Sequence, residues 1–373
     1  MTGPVNAEPQ LSESAPPRER EGYLGWIVAM AVLFAFLVAG ILSQRGEAPT
    51  ESEIARAAAS ASLESVEPVA TPAEDEIVIG AYINDIQNVD LTTHSFPGDI
   101  YIWFRWTNPE FDPVETFEFM NLHDPEAHIE DVLYDEPQVM PDGSFYNVIR
   151  HQGAFSARMD LARYPFDTQR LAFVVEEAEF GTEVVNYVHG PEGLTANREI
   201  SLPGYHVGEA EEIIFAKSYP TAFGDLSNPD TGAYSRVEFT VPVTRPWQTG
   251  VIKLILPVVL IMLCAALSLT IDPNNAEGRI GLVITALLTL VALQLTTSSS
   301  LPEVGYLMLI DQVYIICYAA ILAILVQVAR STWFDEEPDE IAVTARRDTR
   351  VLVVVGTGFV LAVATVVGLA LLG

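Results

Sequence analysis

The chain has 373 residues and a formal net charge of −31, and half of its residues are hydrophobic. A soluble domain of this charge is rarely so apolar, so the two kinds of residue must be separated along the chain. The negative charge argues against nucleic acid and anionic lipid as partners, because both repel an acidic surface. The cysteines, Cys264 and Cys317, fall in apolar stretches, so no disulfide framework is indicated.

The first 75 residues are predicted to lie outside any globular domain. Residues 1–22 are rich in Pro and Glu and are predicted to form a disordered tail. The apolar run 23–42 is interpreted as a retained transmembrane anchor, with a signal sequence as the alternative. Residues 43–75 are rich in Ala, Ser, Glu and Pro and are predicted to be a disordered tether.

Residues 76–247 alternate between apolar and polar side chains in short runs that end at turn residues such as Pro141-Asp142-Gly143. Period-two alternation rich in Val, Ile, Tyr and Phe predicts an antiparallel β-sandwich. Because no linker follows Arg245, the sandwich is expected to run directly into the next apolar stretch.

Four apolar stretches follow, at about residues 250–270, 278–297, 306–328 and 351–372. Each is long enough to cross a bilayer as a helix, so residues 248–373 are predicted to form a four-helix membrane domain. Cations cluster at one side of these spans: Arg279 near the start of the second of the four, and a set in the predicted loop between the last two, which is Arg330, Arg346, Arg347 and Arg350. The positive-inside rule places that side in the cytoplasm, and the sandwich and C-terminus outside or in the periplasm. The N-terminus is then cytoplasmic if the first span is retained.

The stretch from Glu277 to Pro302 carries a helical face that lipid does not require. Small and hydroxyl-bearing residues share that face with leucines, and its members are Gly281, Thr285, Leu288, Ala292, Leu295 and Ser299. A water-filled pore ringed by copies of this helix would require such a face, with Glu277 at its entrance. The alternative is a spanning helix whose small residues pack against neighbouring helices.

Several motifs together resemble the bacterial pentameric ligand-gated ion channels of the Cys-loop receptor superfamily, over about residues 76–373. The most specific is Tyr164-Pro165-Phe166-Asp167 followed by Gln169, which matches the loop at the membrane end of that family's sandwich. Leu256-Pro257, Leu301-Pro302 and the run Tyr306–Asp311 match in the same order.

Animal members of that family flank the same loop with a disulfide. Ala157 and Leu171 stand at the two corresponding positions here, which resembles the bacterial members.

The resemblance implies an all-β, immunoglobulin-like extracellular sandwich that binds a ligand, followed by a four-helix transmembrane domain. Residues 277–300 would line the pore, and Leu288 would form the hydrophobic ring that closes it by dewetting. Glu277 would form a carboxylate ring that attracts cations. Its alternative role is that of an ordinary acid at a helix start, favoured by the helix dipole.

The resemblance also implies a cluster that couples the sandwich to the pore. Arg245 is expected between Asp167 and Asp99, with Asp99 in the turn His94–Asp99, where forked charge-assisted bonds are possible. A static salt bridge is the alternative to an element that moves on gating. Other members of the coupling region are Tyr164, Pro165, Phe166, Pro302 and Tyr306.

A pocket between subunits, lined by aromatic residues, would favour an amine or another cation as ligand. The candidates are Tyr101, Trp103, Trp106, Tyr219, Phe223 and Tyr234, with core or strand positions as the alternative. The histidines allow gating by protons, and the acidic residues between Asp124 and Asp131 allow a calcium site, but neither set has a diagnostic spacing.

The sequence shows no catalytic triad, zinc spacing, P-loop or dinucleotide motif, so neither enzyme activity nor a cofactor is expected. The predicted function is a ligand-gated cation channel of the plasma (inner) membrane, gated or modulated by a small ligand, protons or cations. The expected partners are further copies of the chain in a homopentamer, membrane lipid, permeating monovalent cations and the unidentified ligand or protons. The alternative is a membrane sensor that keeps the same fold and does not conduct.

Overall fold

The computed structural model describes residues 73–221, 232–334 and 338–372. The predicted tail, the anchor at residues 23–42 and most of the tether lie outside the described residues, as does Phe223. Within the described ranges, eleven strands precede four long helices.

The strands form two sheets. The first has the order β4-β6-β2-β1-β8 with β5 beside β6, and the second has the order β10-β11-β7-β3 with β9 beside β11. The strands are β1 Asp75–Ile86, β2 Ser95–Trp106, β3 Phe117–Phe119, β4 Ile129–Val132, β5 Gln138–Val139, β6 Phe145–Ser156, β7 Thr168–Gly181, β8 Val185–Ala196, β9 His206–Val207, β10 Glu211–Ser218 and β11 Ala233–Thr244.

The predicted sandwich is confirmed, but a purely antiparallel arrangement is wrong for one pair of strands. β1 and β8 run parallel, with Ile77 opposite Tyr187. The chain changes sheets between β7 and β8, so β8 does not pair with its neighbour in sequence and instead lies beside β1 in the same direction.

Alternating residues of the strands fill the space between the sheets. On β1, Ile77, Ile79 and Ile83 are fully buried. Phe96, Phe155 and Phe173 meet in the core with ring centroids 4.6–5.7 Å apart. Each fully buried side chain of this size stabilises the fold by about 1.5–3 kcal/mol, so the predicted alternation accounts for the sandwich.

The helices follow the sandwich, apart from a short one between β2 and β3. They are α1 Pro113–Thr116, α2 Trp247–Thr270, α3 Ala276–Ser298, α4 Leu309–Phe334 and α5 Pro338–Leu372. The helices α2 to α5 each contain a stretch long and apolar enough to cross a membrane, and α4 is the most buried of the four.

Two details differ from the expected layout of the helices. A π-helical turn, Val251–Ile255, interrupts α2 just before Pro257, which has no N–H to donate to the carbonyl of Lys253. The arginines assigned to a loop before the last span lie on helices instead. Arg330 is on α4, and Arg346, Arg347 and Arg350 are on α5.

Candidate functional site

The predicted pore face of α3 lies on the surface of the single chain. Its six residues and Glu277 at its entrance are all exposed; the six are Gly281, Thr285, Leu288, Ala292, Leu295 and Ser299. The opposite face, with Val283, Ala286 and Leu290, is buried against the other helices. The sequence pattern therefore identified which face of α3 is left without partners within one chain.

Leu287 and Leu288 are neighbours in sequence with different surroundings. Leu288 is 64% exposed, whereas Leu287 packs against the apolar core of the helix bundle. The expected register of α3 places Leu288 on the small and polar face and Leu287 off it, and the observed packing agrees with that register.

Hydroxyl groups on this face and next to it are bonded within the helix. Thr285 donates to the carbonyl of Gly281, and Thr289 donates to that of Thr285, both at 2.8 Å. Thr296 donates to the carbonyl of Ala292 at 2.9 Å. Each hydroxyl oxygen keeps acceptor capacity, which suits a surface in contact with water or permeating ions.

The N-terminal end of α3 presents a carboxylate to solution. Asn275 caps the helix by accepting from the backbone N–H of Gly278 at 3.2 Å. Glu277 is exposed in the first turn, and it takes part in none of the salt bridges found among the described residues. This carboxylate is therefore accessible to ions in solution.

Arg279, one residue beyond Gly278, was assigned by the sequence to the cytoplasmic side only as a topology signal. It is fully buried and forms an ion pair with Asp348 of α5, Nη2 to Oδ2, at 2.6 Å. The sequence reasoning missed this pair. Two signals in the sequence could have indicated it. Arg279 lies on the side of α3 opposite the predicted pore face, and Asp348 is an acidic residue near the start of the apolar stretch of α5.

The junction between sandwich and helices is built around Arg245, which directly precedes α2. Its Nε donates to Oδ1 of Asp167 at 3.0 Å, and its Nη2 donates to the hydroxyl of Tyr205 at 2.6 Å. The guanidinium also lies over the rings of Tyr164 and Tyr205, 5.0 and 4.6 Å from their centroids. Burial raises the pKa of both tyrosines, so both hydroxyls stay protonated beside the cation.

Asp99 does not join this cluster. The expectation that it lies in a turn is also wrong. It lies within β2, not in a turn, and forms a forked pair with Arg150 of β6 at 3.0 and 2.7 Å. Burial raises the pKa of Asp99, but hydrogen bonds from Arg150 and Asn84 outweigh that effect and leave the pKa below its usual range. The structure replaces the second carboxylate at Arg245 with the hydroxyl of Tyr205.

The Tyr-Pro-Phe-Asp loop inserts into the helix bundle. Tyr164 packs against the core formed by α2, α3 and α4, and Phe166 packs against the contact of α4 with α5. A Cβ on Gly250 of α2 would lie only 3.0 Å from the ring of Pro165. The loop therefore packs against α2 through Pro165, and against the contact of α4 with α5 through Phe166.

The segment after α3 contacts the same loop. The hydroxyl of Tyr306 accepts from the backbone N–H of Leu161 at 3.0 Å, and the N–H of Leu309 donates to the carbonyl of Ala162 at 2.9 Å. Pro302 is half-buried on this segment. The end of α3 is thus linked to the sandwich by hydrogen bonds.

The aromatic candidates for a ligand pocket fall into separate places. Tyr219 and Tyr234 are in contact at the ends of β10 and β11, with ring centroids 6.0 Å apart. The hydroxyl of Tyr219 donates to Glu176 and accepts from Arg236, both at 2.7 Å. Burial and the bond to Glu176 raise the pKa of Tyr219 to about 12.

Tyr101 and Trp103 lie on β2, on the face of the first sheet that points away from the core. The guanidinium of Arg150 lies 5.3 Å from the ring centroid of Tyr101. Trp106 belongs to the core and contacts Phe145. A single chain therefore carries these aromatic residues in separate sets on different sheets.

A pair of histidines lies under the acidic segment of the sandwich. Nε2 of His128 lies 2.8 Å from the carbonyl of Ala154, and its Nδ1 lies 2.7 Å from Nε2 of His151. Nδ1 of His151 lies 3.3 Å from Glu130. Since a carbonyl only accepts, Nε2 of His128 donates to it, and the bond between the two histidines needs a proton on one of the two facing nitrogens. Burial lowers the pKa of His128.

A calcium site between Asp124 and Asp131 stays a prediction. Within the part of the chain that the structure describes, no group of three His, Cys, Asp or Glu side chains is arranged to hold a metal ion.

The chain matches no family model. It is similar to γ-aminobutyric acid receptor subunit rho-3 of Homo sapiens, with 26% identity over 176 residues, 47% of this chain and 36% of that subunit. Glycine receptor subunit beta of Rattus norvegicus is 22% identical over 275 residues, 68% of this chain and 54% of that subunit. Gamma-aminobutyric acid receptor subunit beta of Lymnaea stagnalis is 24% identical over 190 residues, 50% and 36% of the two chains. The chain spans about a third to a half of the length of these relatives.

Proposed function

We propose that this chain, whose homologues are GABA and glycine receptor subunits of the Cys-loop pentameric channel family, is itself a subunit of a ligand-gated ion channel. The observation that carries the proposal is the exposed face of α3, on which small and hydroxyl-bearing residues follow a free carboxylate. Lipid does not require such a face, but a water-filled axis does.

Assembly follows from that face. One copy of α3 cannot enclose water, so several chains must place the same face around one axis. We propose a homopentamer in which α3 is innermost and α5 faces lipid. Leu288 then forms an apolar ring at which the pore closes by dewetting.

Gating is proposed to start in the sandwich. A small ligand would bind between subunits, with Tyr219 and Tyr234 on one side and Tyr101 and Trp103 on the other. Movement of the second sheet would reach α3 through Arg245 and the segment that holds Tyr306. Protons are the other candidate stimulus, supported by the histidine pair, because acidification favours arrangements in which His128 is more hydrated.

Cation selectivity is proposed from this chain's own residues, because the relatives named above do not support it. It rests on Glu277, whose exposed carboxylates would ring the inner mouth and attract K⁺ or Na⁺ while repelling Cl⁻.

The proposed orientation follows the positive-inside rule. The sandwich and C-terminus lie outside the plasma (inner) membrane, and lipid contacts the apolar outer faces of the helices. The grouping with bacterial members rests on Ala157 and Leu171 and on the loop motif.

The second candidate is a membrane sensor that assembles in the same way without conducting. Current across a planar bilayer containing the purified protein, under a KCl gradient and with pH as the first stimulus, separates the two. Discrete single-channel steps with a reversal potential near that of K⁺ support the cation channel. Steps with a reversal potential near that of Cl⁻ would contradict the proposed cation selectivity but not the channel function. If assembled protein carries no current, either as the parent or as Leu288→Ser, the result favours the sensor.

A further inference from the structure

We propose that the buried ion pair between Arg279 and Asp348 is the anchor that positions the inner end of α3. A residue of α5, outside the pore, would thereby set the orientation of the inner mouth. The functional part of this inference rests on the proposed function, in which α3 lines a pore.

The anchor joins four helices through one guanidinium. Nε of Arg279 donates to the carbonyl of Ser268 at the end of α2 at 3.0 Å. Nη1 donates to the hydroxyl of Ser331 on α4 at 3.1 Å, and Nη2 to Asp348 on α5 at 2.6 Å. Asp348 in turn accepts from Nε2 of Gln327 on α4 at 2.9 Å through its other oxygen.

Both charges are removed from solvent, since the side chains of Arg279 and Asp348 are 0% and 2% exposed. An ion pair in such a place is costly to desolvate, and apolar residues of similar volume often stabilise a fold as well or better. A fully bonded polar network instead favours one arrangement of its helices over others. Rotating α3 about its axis would break several of these bonds at once.

The position of Arg279 fixes the direction of Glu277. Two residues apart on a helix, the side chains point about 200° away from each other around the axis. With Arg279 held among α2, α4 and α5, Glu277 must face away from the bundle. The exposed carboxylate and the buried guanidinium are therefore two consequences of one helix orientation.

Asp348 has a second effect through its charge. Without it, the guanidinium of Arg279 would remain uncompensated behind the ring of Glu277. It would then either draw water into the bundle or turn towards the mouth, and both outcomes disturb the ring. Removing both charges together avoids that disturbance but also removes the anchor.

The test that does not depend on conduction measures the position of α3 within one chain. Spin labels are placed at Asn274→Cys, exposed just before α3, and at Val353→Cys, exposed on α5, with Cys264→Ser removing the exposed native thiol. Labelled chains are diluted among unlabelled ones, so the distance is intramolecular whatever the oligomeric state. Asp348→Asn is expected to broaden or shift the distance distribution relative to the parent.

The matched control lies at the other end of the same helix. Thr297→Val removes the buried hydrogen bond between Thr297 and Tyr314, 3.0 Å long, and is expected to leave the distribution unchanged. If Asp348→Asn does not fold, Arg279→Gln combined with Asp348→Asn takes its place, since that chain buries no charge. If the folded variant gives the same distance distribution as the parent, the ion pair does not anchor α3 and the proposal is wrong.

The functional readout is the single-channel current. Asp348→Asn is expected to lower the unitary conductance and shift the reversal potential towards Cl⁻, while Thr297→Val changes neither. If Asp348→Asn has the conductance and selectivity of the parent, Asp348 does not influence the mouth of the pore. If the parent itself carries no current, the proposed function fails while the distance measurement still decides the anchor.

Discussion

At the scale of single residues, the difference between Leu288 and Leu287 makes the gate testable. Leu288 is 64% exposed on the face proposed to line the pore, and Leu287 packs into the bundle. Leu288→Ser lowers the penalty for water at the constriction, which for a fully desolvated side chain is about 1.5–3 kcal/mol. Repeated around the ring, a fraction of that is comparable to the few kcal/mol that commonly separate two conformations. We expect current without stimulus from Leu288→Ser.

Leu287→Ser is the control for that experiment, because it changes the same chemistry one residue away. It should leave the channel closed at rest and weaken the packing of α3 against the bundle. Leakage from Leu287→Ser together with normal closure of Leu288→Ser would show that the register of the pore face is wrong, including the places of Gly281 and Thr285.

Glu277→Gln tests the proposed ring of charge at the inner mouth without changing the shape of the side chain. The carboxylate is exposed, so the substitution leaves the packing of α3 intact and removes only the attraction for cations. We expect a smaller preference for K⁺ over Cl⁻, measured as a shift in reversal potential under a salt gradient. A reversal potential equal to that of the parent would mean that another acidic surface, and not Glu277, determines selectivity.

At the scale of elements, the junction between β11 and α2 depends on the pair of Arg245 with Asp167. The side chain of Asp167 is 1% exposed and that of Arg245 is 17% exposed. Asp167→Asn keeps the shape and leaves the guanidinium without its carboxylate, so we expect a loss on the order of 3 kcal/mol. Thermal unfolding in detergent measures the loss, and a weaker response to the stimulus is expected with it.

The matched control for the junction is Glu211→Gln. Glu211 pairs with Arg170 at a similar distance, 2.8 Å, but both side chains are about half exposed. Surface pairs of this kind contribute about 0–1 kcal/mol, so the control should unfold almost as the parent does. Equal losses from the two substitutions would mean that the junction has no special role.

The sequence predicted elements that depend on local pattern and failed where partners are distant. Period-two alternation located the sandwich, and helical spacing located the exposed face of α3. The partner of Asp99 depends on the register between β2 and β6, which no local pattern specifies. Arg279 and Asp348 are 69 positions apart and meet only because α3 and α5 pack against a common neighbour. β8 runs parallel to β1 because the chain crosses to the other sheet after β7, and no local sequence pattern predicts that crossing.

At the scale of the whole molecule, one chain leaves too much of α3 exposed to be a complete structure in a bilayer. Its hydroxyls and its carboxylate face outward, and lipid would not stabilise them. We expect a homopentamer, with native mass spectrometry in mild detergent giving the mass of five chains. A stable monomer or dimer would contradict the assembly.

If the exposed face of α3 lines a water-filled path, a charged thiol reagent in solution can reach cysteines placed on that face. Single cysteines are introduced at Thr285 and Ala292 on that face and at Ala286 and Leu290 on the buried face, each with Cys264→Ser. A charged, water-soluble thiol reagent applied during bilayer recording should block current at Thr285→Cys and Ala292→Cys and leave the other two unaffected. Block at Ala286→Cys and Leu290→Cys, with none at Thr285→Cys and Ala292→Cys, would contradict the claim.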